Sequence, residues 1–254
     1  MIPILTARGI DRRFGALVAV DAVDLDLLPG EVHAVIGPNG AGKSTLLGIL
    51  AGEVAPDRGE IALDGVAITR LPPWRRARLG IARSFQTTAI VNDMTVLENA
   101  ALAVVAAEHG GILGRGSAAM DDPAVAAGAR QALDDVGLGG AAGTAAGTLA
   151  HGQQRQLELA MALVGRPRVL LLDEPTAGTG PEESRAMVHL LRGLKQRPGG
   201  GPAAVLVEHD LDAVFALADR ITVMAQGRVI ASGAPDAVRS DAAVRAAYLG
   251  DEAA

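Results

Sequence analysis

One short glycine-rich segment limits the folds open to this chain more than any other feature of its sequence. Residues 37–45 are Gly-Pro-Asn-Gly-Ala-Gly-Lys-Ser-Thr, and they follow the apolar run Val32–Ile36. A helix is predicted to start near Lys43, so the loop joins a strand to a helix. In this context, a Lys-Ser pair after the second glycine is typical of a phosphate-binding loop, in which backbone N–H groups and the helix N-terminus face phosphate oxygens. An ordinary glycine turn is disfavoured because strand, spacing and Lys-Ser pair all agree.

The residues of this loop predict separate roles. Lys43 would reach the β- and γ-phosphates of a nucleotide, the Ser44 hydroxyl would bind Mg²⁺, and Thr45 would lie near the α-phosphate. The predicted nucleotide-binding residues are the whole loop: Gly37, Pro38, Asn39, Gly40, Ala41, Gly42, Lys43, Ser44 and Thr45.

A second motif supplies two adjacent carboxylates. Asp173 and Glu174 follow the apolar run Val169–Leu172. Neighbouring side chains on a strand point to opposite faces, so the two carboxylates need different roles. We expect Asp173 to hold Mg²⁺ through its water shell and Glu174 to polarise the attacking water as the catalytic base. Alone, the pair would equally fit a strand that runs out into a solvated acidic turn.

The remaining pattern predicts an α/β fold with a parallel core. Apolar and polar residues alternate over Val23–Leu27, which indicates an antiparallel edge region with one solvent-exposed face. The sequence after Arg220 indicates a hairpin that closes the sheet. From about 89 to 147, alanine-rich helical stretches predict an inserted helical lobe, and 241–249 predicts a last short helix. Buried parallel strands are predicted at three short apolar runs: Val32–Ile36, Val169–Leu172 and Val205–Val207.

Composition excludes several classes of protein. The 254 residues are 49% hydrophobic, which is enough for one large domain or two small lobes. Charges or glycines interrupt every apolar run before the ~18 residues of a membrane-spanning helix. No secretory signal is visible at the start of the chain, so a cytoplasmic location is expected. The absence of cysteine excludes disulfides and thiolate metal sites, and the net charge of -6 disfavours nucleic acid as a partner.

With both motifs in place, the sequence resembles the ATP-binding cassette family over nearly its whole length. The diagnostic peptide of that family is of the type Leu-Ser-Gly-Gly-Gln, and Leu149-Ala-His-Gly-Gln153 occupies its place. The resemblance implies an ATPase with a RecA-like phosphate-loop core, an N-terminal antiparallel β subdomain and an inserted α-helical subdomain. It also implies that the signature helix points its N-terminus at ATP held by another protomer, so that Ala150, Gly152 and Gln153 bind nucleotide in trans.

Three single residues match further family positions. By this resemblance, Gln86 touches Mg²⁺ and the attacking water, His209 contacts the γ-phosphate, and Phe14 stacks on adenine. Each of them alone would more often be a surface or core residue. Together with Lys43 and Glu174, Gln86 and His209 complete the predicted catalytic set.

The resemblance also implies how the chain is divided. Residues 1–250 would form one cassette domain, with 1–88 and 155–235 as the α/β core and antiparallel region. Residues of about 89–154 would form the inserted lobe with the signature peptide, and 236–254 the C-terminal helix and tail.

Two departures from the family pattern bear on turnover. Ala150 replaces the signature serine and removes a hydroxyl expected to bind the γ-phosphate. Such a charge-assisted hydrogen bond is worth about 1.5–3 kcal/mol, so its loss predicts slower, not abolished, hydrolysis. The loop 177–180, Ala-Gly-Thr-Gly, lacks the usual leucine and acidic or amide residue, which leaves coupling between protomers open.

Several features resemble the branch of the family that serves high-affinity branched-chain amino acid uptake. They include the Arg13-Phe14-Gly15 start and the ending Ala246-Ala-Tyr-Leu-Gly250. The resemblance implies ATP and Mg²⁺ as cofactors. It implies as partners a second cassette, identical or paralogous, membrane permease subunits and indirectly a substrate-binding protein, with the chain peripheral on the inner face of the membrane. A urea or amide importer, a lipopolysaccharide exporter and a non-catalytic ATP-binding cassette stay open as alternatives.

A basic cluster around the single tryptophan has no place in these motifs. Trp74 is followed by Arg75, Arg76 and Arg78, and we interpret the four as one solvated face.

Overall fold

The computed structural model describes residues 1–84, 90–109, 122–197 and 200–244. Within these ranges, none of the helices has the length and apolarity of a membrane span. The strands of the described residues are β1 (Leu5–Phe14), β2 (Leu17–Leu27), β3 (Val32–Ile36), β4 (Arg58–Leu63), β5 (Val66–Ala67), β6 (Ile81–Arg83), β7 (Val169–Asp173), β8 (Ala203–Val207), β9 (Arg220–Ala225) and β10 (Arg228–Gly233).

Helices surround the two sheets that these strands form. Those in the described residues are α1 (Lys43–Ala51), α2 (Pro73–Arg78), α3 (Val96–His109), α4 (Pro123–Asp135), α5 (His151–Leu163), α6 (Pro181–Lys195), α7 (Leu211–Leu217), α8 (Pro235–Ser240) and α9 (Ala242–Val244). Only the start of the helix predicted over 241–249 is described, because 245–254 lie outside the described residues.

The central sheet has six described strands in the order β10-β9-β3-β8-β7-β6. The pairs from β9 to β6 are parallel, and β10 joins the edge antiparallel to β9. Every residue of β3, β7 and β8 is buried, as expected for strands covered on both faces. The three predicted parallel strands are therefore confirmed, and their carboxyl ends lie side by side at one edge of the sheet.

The predicted closing hairpin is also confirmed. Gln226 and Gly227 connect β9 to β10 with φ angles of 49° and 83°. Two successive left-handed residues are the signature of the tight turn whose twist matches that of paired strands.

The second sheet is antiparallel, with the described strands in the order β2-β1-β4-β5. Along β2 the side chains of Val23, Leu25 and Leu27 are buried, whereas Asp24 is exposed. The predicted edge region is thus confirmed, and the strand begins earlier than its alternation showed, at Leu17.

Helices α3, α4 and α5 pack together into the helical lobe. Buried alanines such as Ala100 and Ala129 lie among Val104, Leu133 and Leu157 in its core. Helix α5 continues past the predicted boundary at 154, so a continuous helix joins the lobe to the core there. The exact boundaries stay a prediction.

The interpretation of 74–78 as one solvated face was wrong for Arg76. Trp74 is 54% exposed and Arg75 and Arg78 stack on its ring, but Arg76 is only 1% exposed. The Arg76 guanidinium donates to the carbonyls of Ile49 and Leu50, each at 2.8 Å, and also to those of Leu71 and Thr69. Ile49 and Leu50 lie in the last turn of α1, where backbone carbonyls favour a cation, and the Ile49 carbonyl accepts from the Gly52 N–H as well. Burial lowers the pKa of Arg76 to about 10, which leaves it charged at neutral pH.

Replacing this arginine should destabilise the fold. We expect Arg76→Met to lower the free energy of unfolding by about 3 kcal/mol or more, because it strands several buried carbonyl groups. Urea unfolding followed by circular dichroism measures the change. Arg75→Met, on the exposed side of the same helix, is the control and should shift stability by less than about 0.5 kcal/mol. Equal effects of the two substitutions would contradict the role of Arg76.

Candidate functional site

The predicted site residues converge at the carboxyl edge of the central sheet. The phosphate loop follows β3, Asp173 ends β7, and His209 follows β8, which lies between the other two strands. Ligands of α/β sheets bind at this edge, because the loops that leave the strands open outward there. The topology therefore brings together residues that are up to about 170 positions apart in sequence.

Two glycines of the phosphate loop are required by the backbone around them. Gly37 has φ 147° and Gly42 has φ 100°. A β-carbon at Gly37 would lie 2.0 Å from the carbonyl oxygen of Met224, and one at Gly42 would lie 2.0 Å from that of Ala19. No larger side chain fits either position, so the curve of the loop depends on glycine.

The side chain of Lys43 stabilises the curved conformation of the phosphate loop. Its side chain is nearly buried, and Nζ donates to the carbonyl oxygens of Gly37 at 2.7 Å and Pro38 at 3.1 Å. Burial lowers the pKa of Lys43, while the charges of Glu174 and Asp173 act in the opposite direction. An ammonium has three donors, and two are engaged within the described residues. The third is available to an anion cradled by the loop.

Asp173 lies under the loop and is 1% exposed. Its Oδ1 accepts a long hydrogen bond of 3.4 Å from the Ser44 hydroxyl, and its Oδ2 accepts one of 2.9 Å from Nη2 of Arg83. Arg83 also pairs with Glu53, just after α1. A hydroxyl and a carboxylate oxygen on one side of a phosphate loop are hard oxygen donors, and they fit Mg²⁺ in chemistry.

Sequence reasoning missed Arg83. Its role depends on a short strand that the sequence analysis did not predict: Arg83 ends β6, which pairs in parallel with β7. The register places Arg83 opposite Leu171. Its long side chain can therefore reach Asp173 two residues further along.

Glu174 and His209 are brought into direct contact. Nε2 of His209 lies 2.9 Å from Oε1 of Glu174. Glu174 adopts φ 50°, a left-handed conformation that is costly for a residue with a side chain, and its N–H donates to the carbonyl of Val207 at 2.8 Å. The neighbouring strand end thus holds Glu174 in a turn that carries its carboxylate toward His209.

The signature residues lie at the start of α5, with Ala150 as its N-cap. The Gln153 side chain accepts a hydrogen bond of 3.2 Å from the Ala150 N–H. Gly152 faces the start of α6, where a β-carbon would lie 2.9 Å from the Glu183 side chain. These residues are therefore placed against α6 and the loop 177–180, not against the phosphate loop of the same chain.

Two further predicted residues have different outcomes. Phe14, at the end of β1, is 46% exposed, and the Arg12 guanidinium lies 4.6 Å from its ring centroid. An exposed ring of this kind suits stacking on a base, and the role stays a prediction. Gln86 lies outside the described residues.

Comparison with known proteins gives two family matches. Residues 20–177 match the model described as ABC transporter, and residues 228–254 match the model described as Branched-chain amino acid ATP-binding cassette transporter.

Curated relatives match over nearly the full chain. The chain is 39% identical to the high-affinity branched-chain amino acid transport ATP-binding protein BraF of Pseudomonas aeruginosa, covering 98% of each. It is 37% identical to the protein LivG of Escherichia coli K12, which carries the same description, again covering 98% of each.

Solved structures agree on the fold. A nucleotide-free ATP-binding cassette from an ABC transporter matches with a TM-score of 0.86 at 29% identity, over 98% of this chain and 100% of that one. The ADP conformation of MJ1267, an ATP-binding cassette of an ABC transporter, matches with a TM-score of 0.85 at 29% identity, over 99% of this chain and 100% of that one.

The Arg83 ion pair predicts a measurable contribution to stability. Arg83→Met would leave the buried Asp173 carboxylate without its cation, so we expect a loss of about 3 kcal/mol in the free energy of unfolding. The matched control is Arg8→Met, which breaks an exposed pair with Asp26 whose side chains are 48% and 35% accessible. Exposed pairs contribute about 0–1 kcal/mol. Denaturant unfolding measures the free energy of unfolding of both variants. A loss in Arg83→Met no larger than that in Arg8→Met would show that the Arg83–Asp173 pair does not stabilise the fold.

Proposed function

The chain belongs to the ATP-binding cassette family of ABC transporter ATPases, and from this premise we propose that it is the ATP-hydrolysing subunit of an importer for branched-chain amino acids. The observation that carries the chemistry is the convergence of Lys43, Asp173, Glu174 and His209 at one edge of the central sheet, beside the phosphate loop. Transfer of a phosphoryl group to water needs charge neutralisation and a positioned base, and these residues supply both.

The residues divide the work of hydrolysis. Residues 37–45 bind the phosphates of ATP through backbone N–H groups, and Lys43 neutralises charge on the β- and γ-phosphates. Ser44 and Asp173 would hold Mg²⁺, together with Gln86. The ion supplies charge neutralisation on the phosphate oxygens.

Glu174 accepts the proton of the attacking water. His209 lies 2.9 Å from the Glu174 carboxylate, keeps that carboxylate oriented and reaches toward the γ-phosphate. Phe14 offers its exposed ring to adenine.

The transported substrate is proposed from similarity. The BraF and LivG descriptions name branched-chain amino acid transport, and the terminal residues 228–254 match a model of the same name. A cassette does not contact the transported molecule, so its sequence specifies the substrate only through the system it serves. An importer of urea or amides and a lipopolysaccharide exporter remain the alternatives.

A complete site requires a second cassette. The start of α5, with Ala150, Gly152 and Gln153, packs against α6 and would serve ATP held by a partner, identical or paralogous. Permease subunits would dock near Gln86 and the helical lobe, which places the chain on the inner face of the membrane and links closure of the dimer to transport. A substrate-binding protein would then act indirectly through the permease.

The role of Glu174 can be tested by an isosteric change. Glu174→Gln should keep ATP binding and reduce hydrolysis by about 10²–10⁴-fold, because an amide cannot accept the proton. Phosphate release at saturating Mg-ATP measures the rate, and nucleotide titration measures binding. Glu60→Gln, an exposed carboxylate on β4 of the other sheet, is the control and should leave both unchanged. Near-normal turnover of Glu174→Gln would assign the base elsewhere, with His209 as the next candidate.

The shared site predicts that turnover depends on association. ATPase rate per subunit should fall as the wild-type concentration is lowered, because hydrolysis needs two cassettes. With hydrolysis blocked by Glu174→Gln, light scattering should show a monomer without nucleotide and a dimer with ATP. A rate strictly proportional to subunit concentration where only monomer scatters would contradict the shared site.

A further inference from the structure

Glu208 is a buried carboxylate between the two loops that carry Glu174 and His209. It is 3% exposed, and its two oxygens accept hydrogen bonds from both sides. Oε1 accepts from the Thr176 N–H at 3.0 Å and from the Thr176 hydroxyl. Oε2 accepts from the N–H groups of His209 at 2.8 Å and Asp210 at 3.4 Å.

Each carboxylate oxygen of Glu208 therefore accepts hydrogen bonds from a different loop. Thr176 lies two residues after Glu174 in the loop that follows β7, and His209 begins the loop that follows β8. The Ser184 hydroxyl, in α6, also donates to the Asp210 carboxylate at 3.2 Å, which ties the loop after β8 to the neighbouring helix. The strained φ of 50° at Glu174 needs surroundings that hold it, and the Thr176 contact lies just beyond it.

We propose that Glu208 is a positioning residue for hydrolysis: its carboxylate fixes the His209 loop to the Glu174 loop and so sets the contact between the His209 ring and the Glu174 carboxylate. This inference rests on the proposed function and adds a residue to it. Glu208 touches neither phosphate loop residues nor the ring of His209 in the described contacts. It acts only through the backbone of its neighbours and through Thr176.

The expected consequence is a selective loss of turnover. Glu208→Gln keeps the volume but replaces one acceptor oxygen with an amide that faces N–H donors, so one of the two loops loses its partner. A charge-assisted hydrogen bond of this kind corresponds to about 10-fold in rate when it is used to place reacting groups. ATP binding depends on the phosphate loop, which follows β3, whereas Thr176 follows β7 and Glu208 follows β8. The Kd for ATP should therefore change by less than about twofold, which corresponds to under 0.5 kcal/mol.

The experiment compares three variants at the two ends of this contact. For Glu208→Gln, Thr176→Val and Thr176→Ser, kcat is measured at saturating Mg-ATP, the Kd for ATP by titration, and the unfolding midpoint by heating. We expect kcat to fall about 10-fold in Glu208→Gln and several-fold in Thr176→Val, with Kd unchanged. Thr176→Ser keeps the hydroxyl that donates to Glu208 and should therefore have wild-type kcat.

A matched control separates positioning from stability. Glu31 is another buried carboxylate, 7% exposed, which pairs with Arg220 and accepts from the Leu28 N–H. It lies just before β3, at the amino edge of the sheet, away from the site. Glu31→Gln should therefore lower the unfolding midpoint and leave kcat unchanged.

Each outcome decides the proposal. Wild-type kcat in Glu208→Gln and in Thr176→Val, a parallel loss of kcat and ATP affinity, or a kcat loss in Glu31→Gln of the same size would each overturn it. If Glu208→Gln does not fold, the Val and Ser variants at Thr176 decide alone: equal kcat in both would overturn the role of the hydroxyl contact. Absence of hydrolysis by the unchanged chain would overturn the proposed function and this role with it, and is distinguishable because no variant is involved.

Discussion

The close approach of backbone to backbone at the phosphate loop is the constraint on which the rest of the structure depends. The carbonyl of Met224, in β9 of the central sheet, faces Gly37, and the carbonyl of Ala19, in β2 of the antiparallel sheet, faces Gly42. The Gly227 N–H donates to the Ala41 carbonyl at 3.1 Å, and the Asp21 N–H donates to the Gly227 carbonyl at 2.9 Å. The loop is therefore the place where the two sheets meet, and its shape is set by both of them.

Charge at the site is balanced before any nucleotide arrives. The buried carboxylate of Asp173 pairs with Arg83, and the ammonium of Lys43 donates to loop carbonyls. Burial lowers the pKa of Lys43, and the charges of Glu174 and Asp173 oppose only part of that effect. Isolated buried charges are costly, so this pairing stabilises the fold of the site. If Lys43 binds phosphate as proposed, the phosphate would meet an ammonium that is already ordered, which would reduce the reorganisation that binding requires.

Local sequence predicted the elements of the site better than the contacts between them. Strands β3, β7 and β8 follow from their apolar runs, and the phosphate loop and Asp173 follow from spacing. Arg76, Arg83 and Glu208 could not be assigned this way, since their partners are chosen by tertiary packing. Arg76 shows the reason most plainly: its exposed neighbours Arg75 and Arg78 carry the same charge, and only the position of α1 decides which arginine is buried. The different positions of the Asp173 and Glu174 carboxylates have the same kind of cause. Asp173 ends the strand, whereas Glu174 has a left-handed φ, which the alternation of side chains along a strand does not predict.

The change of serine to alanine in the signature peptide has two opposing physical effects at the start of α5. Alanine removes a hydroxyl that would bind phosphate, but it also removes a side chain able to cap its own helix by accepting from the N–H of Gln153. In the structure, Gln153 satisfies the Ala150 N–H, and no side chain caps the helix from position 150. Within the described residues, no hydrogen bond is made by the N–H groups of 151–153, which are the donors that a helix N-terminus leaves open. Those amides form a concentrated positive end that meets no acceptor among the described residues. The helix start is thus better suited to an anion from a partner cassette than the missing hydroxyl alone would suggest, which favours reduced rather than abolished cooperation between two such chains.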